Sequence, residues 1–135
     1  CRRFGMHPLI EIKSSGDYTD AKIKEALDIC LKYFPNRNFE VMSFNADIIT
    51  QVRALDRFVY LSKVNIAVYA ADIDLCLSLG RCGIVSAGSG LIGNATDAID
   101  NNIELTGWTI NNFNYLDERI IPNSASRVIT DYINI

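Results

Sequence analysis

The sequence predicts an α/β fold in which short strands alternate with helices along all 135 residues. Three observations support this prediction. Strand-like runs and amphipathic helical segments follow one another in turn, the repeat has roughly the 20 to 30 residues of a βα unit, and the strands are rich in Ile, Val, Phe and Tyr. This alternation is compatible either with a doubly wound open sheet or with part of a closed barrel.

The first half of the chain contains three predicted strands and two predicted helices. Asp20 is expected to cap the first helix by accepting from a backbone N–H, and Pro35 ends that helix because proline cannot continue it. Asn45 is expected to cap the second helix in the same way. The strands are residues 8–13, 39–44 and 58–61, and the helical stripes are Ile23, Leu27, Cys30, Leu31 and Phe34 for the first helix and Ile48, Val52 and Leu55 for the second.

The second half of the chain continues the same pattern. A helix is predicted over residues 68–79, with Gly80 as a left-handed C-cap. The loop 88–93 (GSGLIG) has backbone N–H groups that could cradle a phosphate, but it matches neither the P-loop nor the dinucleotide pattern, and a flexible βα turn is favoured. The other predicted elements are strands over residues 82–87, 103–110 and 127–131 and helices over residues 96–101 and 113–120.

The composition excludes several classes of protein. The chain is 49% apolar and 21% charged, which suits a domain with a buried core. Its net charge is −3, so it lacks the surplus of basic residues that a general nucleic-acid or anionic-membrane binder needs. No apolar run approaches the roughly 20 residues that span a bilayer, and no signal peptide is apparent, so we expect a cytoplasmic protein.

The cysteines favour free thiols rather than a metal site. Cys1, Cys30, Cys76 and Cys82 form no C-x-x-C pair, and the only histidine, His7, is not adjacent to any of them. Cys30 and Cys76 fall on apolar helix faces, which favours buried thiols in a reducing compartment over a disulfide framework. A chain that begins with Cys1 and enters a strand almost at once is expected to be a piece of something longer.

Four segments resemble one family. The run Ile10-Glu11-Ile12-Lys13 resembles a strand of glycerophosphodiester phosphodiesterases, which are (β/α)8 barrels. Met42-Ser43-Phe44-Asn45 with the helix after it, Gly107-Trp108-Thr109-Ile110-Asn111, and Val128-Ile129-Thr130-Asp131 resemble later blocks of that family, in the same order. The resemblance implies a partial (β/α)8 TIM barrel with the C-terminal strands and helices only, and residues 1–135 as a single incomplete domain.

The chain also departs from the family pattern. Ser124-Ala125-Ser126-Arg127 stands where a Gly-Val-Asp triplet usually precedes the closing strand. No segment matches the family's HRG-type histidine, its Glu-x-Asp metal pair or its second histidine. His7 precedes the Glu-x-Lys strand at its N-terminal end, which in a barrel faces away from the active site, so it is interpreted as a surface or loop residue. No catalytic residue is therefore assigned.

The candidate site residues lie at or near the carboxyl ends of predicted strands, where barrels form their active sites. Glu11 and Lys13 are two residues apart on one strand and are expected to point to the same side. By resemblance, Glu11 would bind a divalent cation, Ca²⁺ or Mg²⁺, and Lys13 would bind the phosphodiester. The alternative is a structural Glu11–Lys13 ion pair or a solvated strand face.

Three further residues are candidates for substrate binding. By resemblance, Trp108 would line the pocket beside the alcohol portion of the substrate, and a core aromatic is the alternative. Phe44 has the same two interpretations, with the core favoured. Asn111 could donate to substrate, although capping of the next helix is favoured.

The resemblance implies hydrolysis of a glycerophosphodiester to glycerol 3-phosphate and an alcohol. Because general acid–base chemistry needs a titrating group within reach of the proton, the chain alone is expected to be inactive. The alternatives are a non-catalytic module that binds phosphodiesters or polyol phosphates, a structural barrel part, and a small open α/β domain with an unrelated ligand. Exposed barrel edges predict self-association.

Overall fold

Six strands and four helices follow one another in the computed structural model, which describes residues 6–87, 94–109 and 127–129. The chain divides into two units, residues 1–63 and 64–135. Within the described residues, the predicted alternation of strand and helix is confirmed as far as the fifth strand. The elements are β1 (Leu9–Glu11), α1 (Asp20–Tyr33), β2 (Glu40–Ser43), α2 (Ala46–Leu55), β3 (Tyr60–Asn65), α3 (Ala70–Leu79), β4 (Cys82–Ala87), α4 (Ala95–Asp100), β5 (Leu105–Trp108) and β6 (Arg127–Val128).

In the first unit, β1, β2 and the part of β3 up to Lys63 pair in parallel in the order of the sequence. Glu11 lies beside Met42, and Met42 lies beside Ser62, so these three residues form one row across the strands. Residues that pair in register share a face of the sheet, and successive residues along a strand alternate between faces. The register therefore decides which strand residues meet the helices.

One face of these three strands has apolar side chains at its centre. Val41 and Leu61 are paired in register and are almost fully buried, at 1% and 0% exposure. Each apolar side chain of this size contributes about 1.5–3 kcal/mol when it is fully buried. The buried helical residues that cover this face are Ile23 and Leu27 in α1 and Ile48, Ile49 and Val52 in α2.

The opposite face of these strands carries polar side chains among apolar ones. Glu11, Met42 and Ser62 form one row across it, and Leu9, Glu40 and Tyr60 form another. Glu40 and Ser62 are both buried, at 1% and 0% exposure, and the Ser62 hydroxyl donates to the Glu40 carboxylate. A buried polar group is tolerated when it is hydrogen-bonded, so the hydrogen bond between Ser62 and Glu40 accounts for the burial of both side chains.

The two helices of the first unit begin at residues that accept from their first turns. Asn45 caps α2 as predicted, since its side chain accepts from the Asp47 N–H at 2.8 Å. The prediction for α1 was wrong by one residue. Thr19 is the N-cap, because it has the extended backbone of a cap and accepts from the Lys22 N–H, whereas Asp20 is already helical and accepts from Gln51.

The third strand was predicted too early, over residues 58–61, and it occupies Tyr60–Asn65. Phe58 and Val59 form a turn instead, because their backbone N–H groups donate to the Asp56 carboxylate at 2.8 and 3.2 Å. Arg37 also donates to this carboxylate, at 3.0 and 3.2 Å to its two oxygens. The apolar run that begins at Phe58 predicted a strand from that residue onward. In the structure, the Asp56 carboxylate accepts from two backbone N–H groups there and stabilises a turn instead.

In the second unit, β4 pairs with β5 and β5 with β6, in both cases in parallel. Ile84 and Leu105 are paired in register and are buried at 0% and 1% exposure. On α3, Ile73 and Cys76 are also buried and contribute to an apolar core. In this unit α3, β4, α4 and β5 each start and end within two residues of the predicted bounds.

Gly80 ends α3 as predicted, but in a different conformation from the predicted left-handed cap. Its φ is 63° and its ψ is 157°, a region that is open essentially only to glycine, and its N–H donates to the Cys76 carbonyl. The positive φ is therefore confirmed and the αL cap is not. The predicted loop 88–93, the predicted helix 113–120 and the end of the predicted strand 127–131 lie outside the described residues.

The helices that the structure describes are too short to cross a membrane. The longest of those described is α1, with 14 residues, whereas a helical span needs about 20 apolar residues.

Asp56 is expected to be a major source of stability in the first unit. Replacing it with Ala removes the acceptor of two backbone N–H groups and of the Arg37 side chain, at a site where Asp56 is only 7% exposed. We expect the free energy of unfolding in urea to fall by about 2 to 4 kcal/mol.

Asp28→Ala is the matched control, since it also removes one carboxylate from an ion pair, but in an exposed i,i+4 pair with Lys24. Its expected effect is within about 0.5 kcal/mol. Equal losses in the two variants would show that the Asp56 hydrogen bonds have no special weight.

Candidate functional site

Glu11 and Lys13 lie together at the carboxyl end of β1. The Lys13 ammonium donates to Glu11 Oε2 at 2.6 Å, so the two side chains project to the same side as the sequence predicted. Lys13 is 69% exposed and Glu11 is 21% exposed. An exposed ion pair adds little to stability, so this pair leaves both charges available to a ligand at low cost.

Ser43 ties the end of β1 to the end of β2. Its hydroxyl donates to the Ile12 carbonyl at 2.7 Å and accepts from the Asn45 N–H at 3.1 Å. The residue between Glu11 and Lys13 is thereby fixed to the start of α2. Sequence analysis assigned no role to Ser43, because a serine in a strand gives no local sign that its partner is on a different strand.

Phe44 follows β2 directly, at the same edge as Lys13. Its side chain is 38% exposed, so the favoured interpretation of Phe44 as a core aromatic is wrong. An exposed aromatic ring beside a strand end can contact a ligand, although its proposed role in substrate binding stays a prediction.

In the second unit, Trp108 is the last residue of β5, as the sequence predicted for a strand end. Its side chain is half-buried, and its indole N–H donates to the Asn65 carbonyl at the end of β3, at 3.4 Å. Asn65 in turn donates from Nδ2 to the Asp72 carboxylate at 3.0 Å. The indole therefore has one edge tied to the protein while part of its surface remains accessible.

The remaining predicted site residues have different outcomes. Glu11 belongs to the first unit and Trp108 to the second, and their roles in one substrate site stay predictions. Asn111 lies outside the described residues. His7 is exposed and precedes β1, which confirms its interpretation as a surface residue at the amino-terminal end of the strand.

Two cavities of the first unit lie at the amino-terminal ends of its strands, away from Glu11. One, of about 280 Å³, lies beside His7 and Asn38, just before β1 and β2. The other, of about 290 Å³, lies beside Asp56 and Phe58, just before β3. Barrels bind substrate at the carboxyl ends of their strands, so neither cavity is placed as a substrate site of that kind.

A metal ion at Glu11 would need ligands from elsewhere. Among the described residues, there is no cluster of three or more His, Cys, Asp or Glu side chains that could hold one. The Glu11 carboxylate supplies oxygen donors of the type that Ca²⁺ and Mg²⁺ prefer, but these ions take six or more ligands. Glu11 is therefore a suitable type of ligand for such an ion, but it fills only part of the coordination shell.

The cysteines in the described part of the chain are free thiols, as predicted. Cys76 and Cys82 are buried, and their sulfur atoms lie 3.0 Å apart between α3 and β4. Cys30 is only partly buried, contrary to the prediction. Burial raises the pKa of the Cys30 thiol, an effect that a backbone hydrogen bond partly offsets. A raised pKa disfavours the thiolate, so Cys30 is a poor nucleophile at neutral pH.

Comparisons with solved structures define the fold. A glycerophosphodiester phosphodiesterase from Parabacteroides distasonis superposes with a TM-score of 0.67 and 18% identity, over 91% of this chain and 52% of that one. A phosphodiesterase from Oleispira antarctica, in complex with the product sn-glycerol 3-phosphate, superposes with a TM-score of 0.70 and 15% identity, over 96% of this chain and 53% of that one. This chain therefore spans about half the length of each.

These similarities show the fold class. The chain has an α/β fold like that of glycerophosphodiester phosphodiesterases and corresponds to part of their TIM barrel, as the sequence predicted. The comparison also decides against the open doubly wound sheet that alternation had left possible. No family model and no curated protein sequence matches the chain.

The thiols are expected to react with iodoacetamide in the order of their exposure. At neutral pH we expect Cys76 and Cys82 to stay unmodified and Cys30 to react slowly. Cys30 should react faster as the pH rises toward its raised pKa, because only the thiolate is nucleophilic. Mass spectrometry of digested peptides measures each site. In the urea-unfolded chain all should react alike, and rapid labelling of Cys76 or Cys82 in the native chain would contradict their burial.

Proposed function

We propose that the chain forms the cation- and phosphate-binding side of a glycerophosphodiester phosphodiesterase-type barrel. In this proposal, residues 1–135 are one incomplete barrel domain. The reaction of the complete site is hydrolysis of a phosphoric diester to glycerol 3-phosphate and an alcohol. The chain alone binds its ligands without hydrolysing them. The fold of the chain supports this proposal, and the placement of charges at one strand end carries it.

The observation on which the proposal depends is the Glu11–Lys13 pair. The two charges are 2.6 Å apart at the carboxyl end of a parallel strand, on the edge where barrels bind substrate. A cation needs a carboxylate and a phosphate needs an ammonium or guanidinium group, and this pair supplies one of each. Ser43 holds the intervening backbone at Ile12, so the backbone from which both side chains project is tied to β2.

Glu11 is the proposed ligand of Ca²⁺ or Mg²⁺. When bound, such an ion would neutralise charge on the phosphodiester. Lys13 now occupies one Glu11 oxygen, and it is exposed enough to turn away toward a phosphate. The remaining ligands would come from water, from the phosphate or from other side chains, because one carboxylate fills at most two positions.

Trp108 and Phe44 are the proposed contacts for the apolar part of the substrate, with Asn111 as a further hydrogen-bond partner. The partial exposure of both aromatic rings supports contact with a ligand. The proposed ligand class is a glycerophosphodiester-type small molecule, because a similar structure contains sn-glycerol 3-phosphate.

A non-catalytic module that binds phosphodiesters or polyol phosphates is the second candidate. The sequence has a single histidine, His7, and it lies at the amino-terminal end of β1. That position is at the opposite end of the strand from Glu11, so His7 could not transfer a proton to a phosphodiester bound there. Release of an alcohol from glycerophosphocholine by the chain alone would contradict the proposal that it binds without hydrolysis.

Calcium titration tests the proposed cation site. Glu11→Gln keeps the size of the side chain and removes its charge, and we expect the affinity for Ca²⁺ to fall on the order of tenfold. Isothermal titration of the chain measures this affinity. Asp28→Asn is the matched control, because Asp28 also pairs with a lysine at 2.6 Å, and it should leave the affinity unchanged. Equal affinities for the unaltered chain and Glu11→Gln would remove Glu11 from the site.

Lys13→Ala is expected to separate phosphate binding from cation binding. Loss of a charge-assisted hydrogen bond should lower the affinity for glycerol 3-phosphate about tenfold. Affinity for Ca²⁺ alone should not fall, because the ammonium that competes for the Glu11 carboxylate is gone. Titrations with each ligand measure both effects, with Lys24→Ala as the control for an exposed, paired lysine. A weaker Ca²⁺ affinity in Lys13→Ala would mean that Lys13 acts on the site through structure.

A further inference from the structure

A chain of hydrogen bonds runs from the first turn of α3 to the indole of Trp108. The Asp72 carboxylate accepts from Asn65 Nδ2 at 3.0 Å, and the Asn65 carbonyl accepts from the Trp108 indole N–H at 3.4 Å. All three residues belong to the second unit. None of the roles assigned so far uses Asn65 or Asp72.

The Asn65 side chain holds its own backbone in place. Its Oδ1 accepts from the Ile66 N–H at 2.9 Å, while its Nδ2 donates to Asp72. The amide is thus held at both ends, at the point where β3 stops and the chain turns. Because the carbonyl of Asn65 belongs to this held segment, its direction toward the indole is set by the side chain.

Asp72 connects this turn to α3. It is only 5% exposed and lies in the first turn of the helix, where a negative charge is favourable. Its own N–H donates to the Tyr69 carbonyl at 3.0 Å, so its backbone is part of the helix start. A buried carboxylate that accepts a hydrogen bond from one amide is held in place. The two hydrogen bonds that link Asp72, Asn65 and Trp108 therefore restrain the indole.

We infer that Asn65 and Asp72 are positioning residues that hold the Trp108 indole in the orientation in which it contacts the apolar part of the substrate. This inference rests on the proposed role of Trp108 in substrate binding. The tie is at the indole N–H, and the rest of the half-buried ring remains for a ligand. An indole fixed in advance loses less rotamer freedom on binding than one that must be ordered.

An exchange of donor and acceptor tests the inference. Asn65→Asp removes the amide donor and sets two carboxylates against each other, so the link to Asp72 is lost. Asp72→Asn alone keeps an acceptor, so it should resemble the unaltered chain. In the double variant Asn65→Asp/Asp72→Asn, the donor lies on position 72 and the acceptor on position 65, so the hydrogen bond is restored with the opposite direction.

Trp108 reports its own position, because it is the only tryptophan in the sequence. In Asn65→Asp we expect emission to shift to longer wavelength and the acrylamide quenching constant to rise on the order of twofold, since a released indole samples several rotamers. The double variant should return both values toward those of the unaltered chain. Asp74→Asn, an exposed residue of α3, is the control for charge removal and should change neither value.

Two results would overturn the inference. The first is an Asn65→Asp chain whose emission and quenching are unchanged. The second is a double variant that stays as altered as Asn65→Asp, since general destabilisation by the introduced carboxylate would not be relieved by the exchange. Thermal unfolding of each variant, followed by circular dichroism, separates loss of fold from movement of the indole.

Titration with glycerophosphocholine in the presence of Ca²⁺ separates this inference from the proposed function, because this diester retains the alcohol portion that Trp108 is proposed to contact. The Trp108 emission of the unaltered chain should change as the ligand binds. The affinity obtained from this change should be about tenfold higher for the unaltered chain than for Asn65→Asp. If emission does not respond while the exchange result holds, the proposed substrate contact fails and the anchoring of the indole stands. If emission responds with equal affinity in both chains, the proposed contact stands and the positioning role fails.

Discussion

The parallel pairing of the strands is the constraint on which the rest of the structure depends. Each strand must run in the same direction as its neighbour, so a helix returns the chain to the starting edge and every strand within a sheet ends at the same edge. Glu11 and Phe44 come from different strands and lie at one edge for this reason. The candidate site residues share an edge because the strands run in parallel, and the side chains at each strand end decide what that edge can bind.

The pleat of the strands divides the remaining residues between two faces. In the first unit, Val41 and Leu61 meet the helices, while Glu40 and Ser62 face the other way and satisfy each other. Charged side chains are costly to bury alone, so each buried acid described above has a specific donor: Ser62 for Glu40, Arg37 for Asp56 and Asn65 for Asp72. These hydrogen bonds offset part of the cost of burying each carboxylate.

The sequence predicted those features that depend on neighbouring residues. Asn45 as a helix cap and Gly80 with a positive φ follow from local backbone chemistry, and both are found. The early start of the third strand was an error because the Asp56 side chain accepts from the Phe58 and Val59 N–H groups, and the Arg37 partner of Asp56 is 19 residues away. Likewise, the Glu11–Lys13 spacing was readable from alternation, whereas the link from Asp72 through Asn65 to Trp108 joins residues up to 43 positions apart and leaves no local pattern.

Binding and turnover place different demands on such a site. Binding a cation and a phosphate requires charged groups at one edge, and the end of β1 supplies part of that requirement, with one carboxylate from Glu11 and one exposed ammonium from Lys13. Hydrolysis also requires a group that takes up and releases a proton beside the leaving oxygen. The only histidine, His7, lies at the other end of β1. Proton transfer at the edge that carries Glu11 would therefore need a titrating group other than His7.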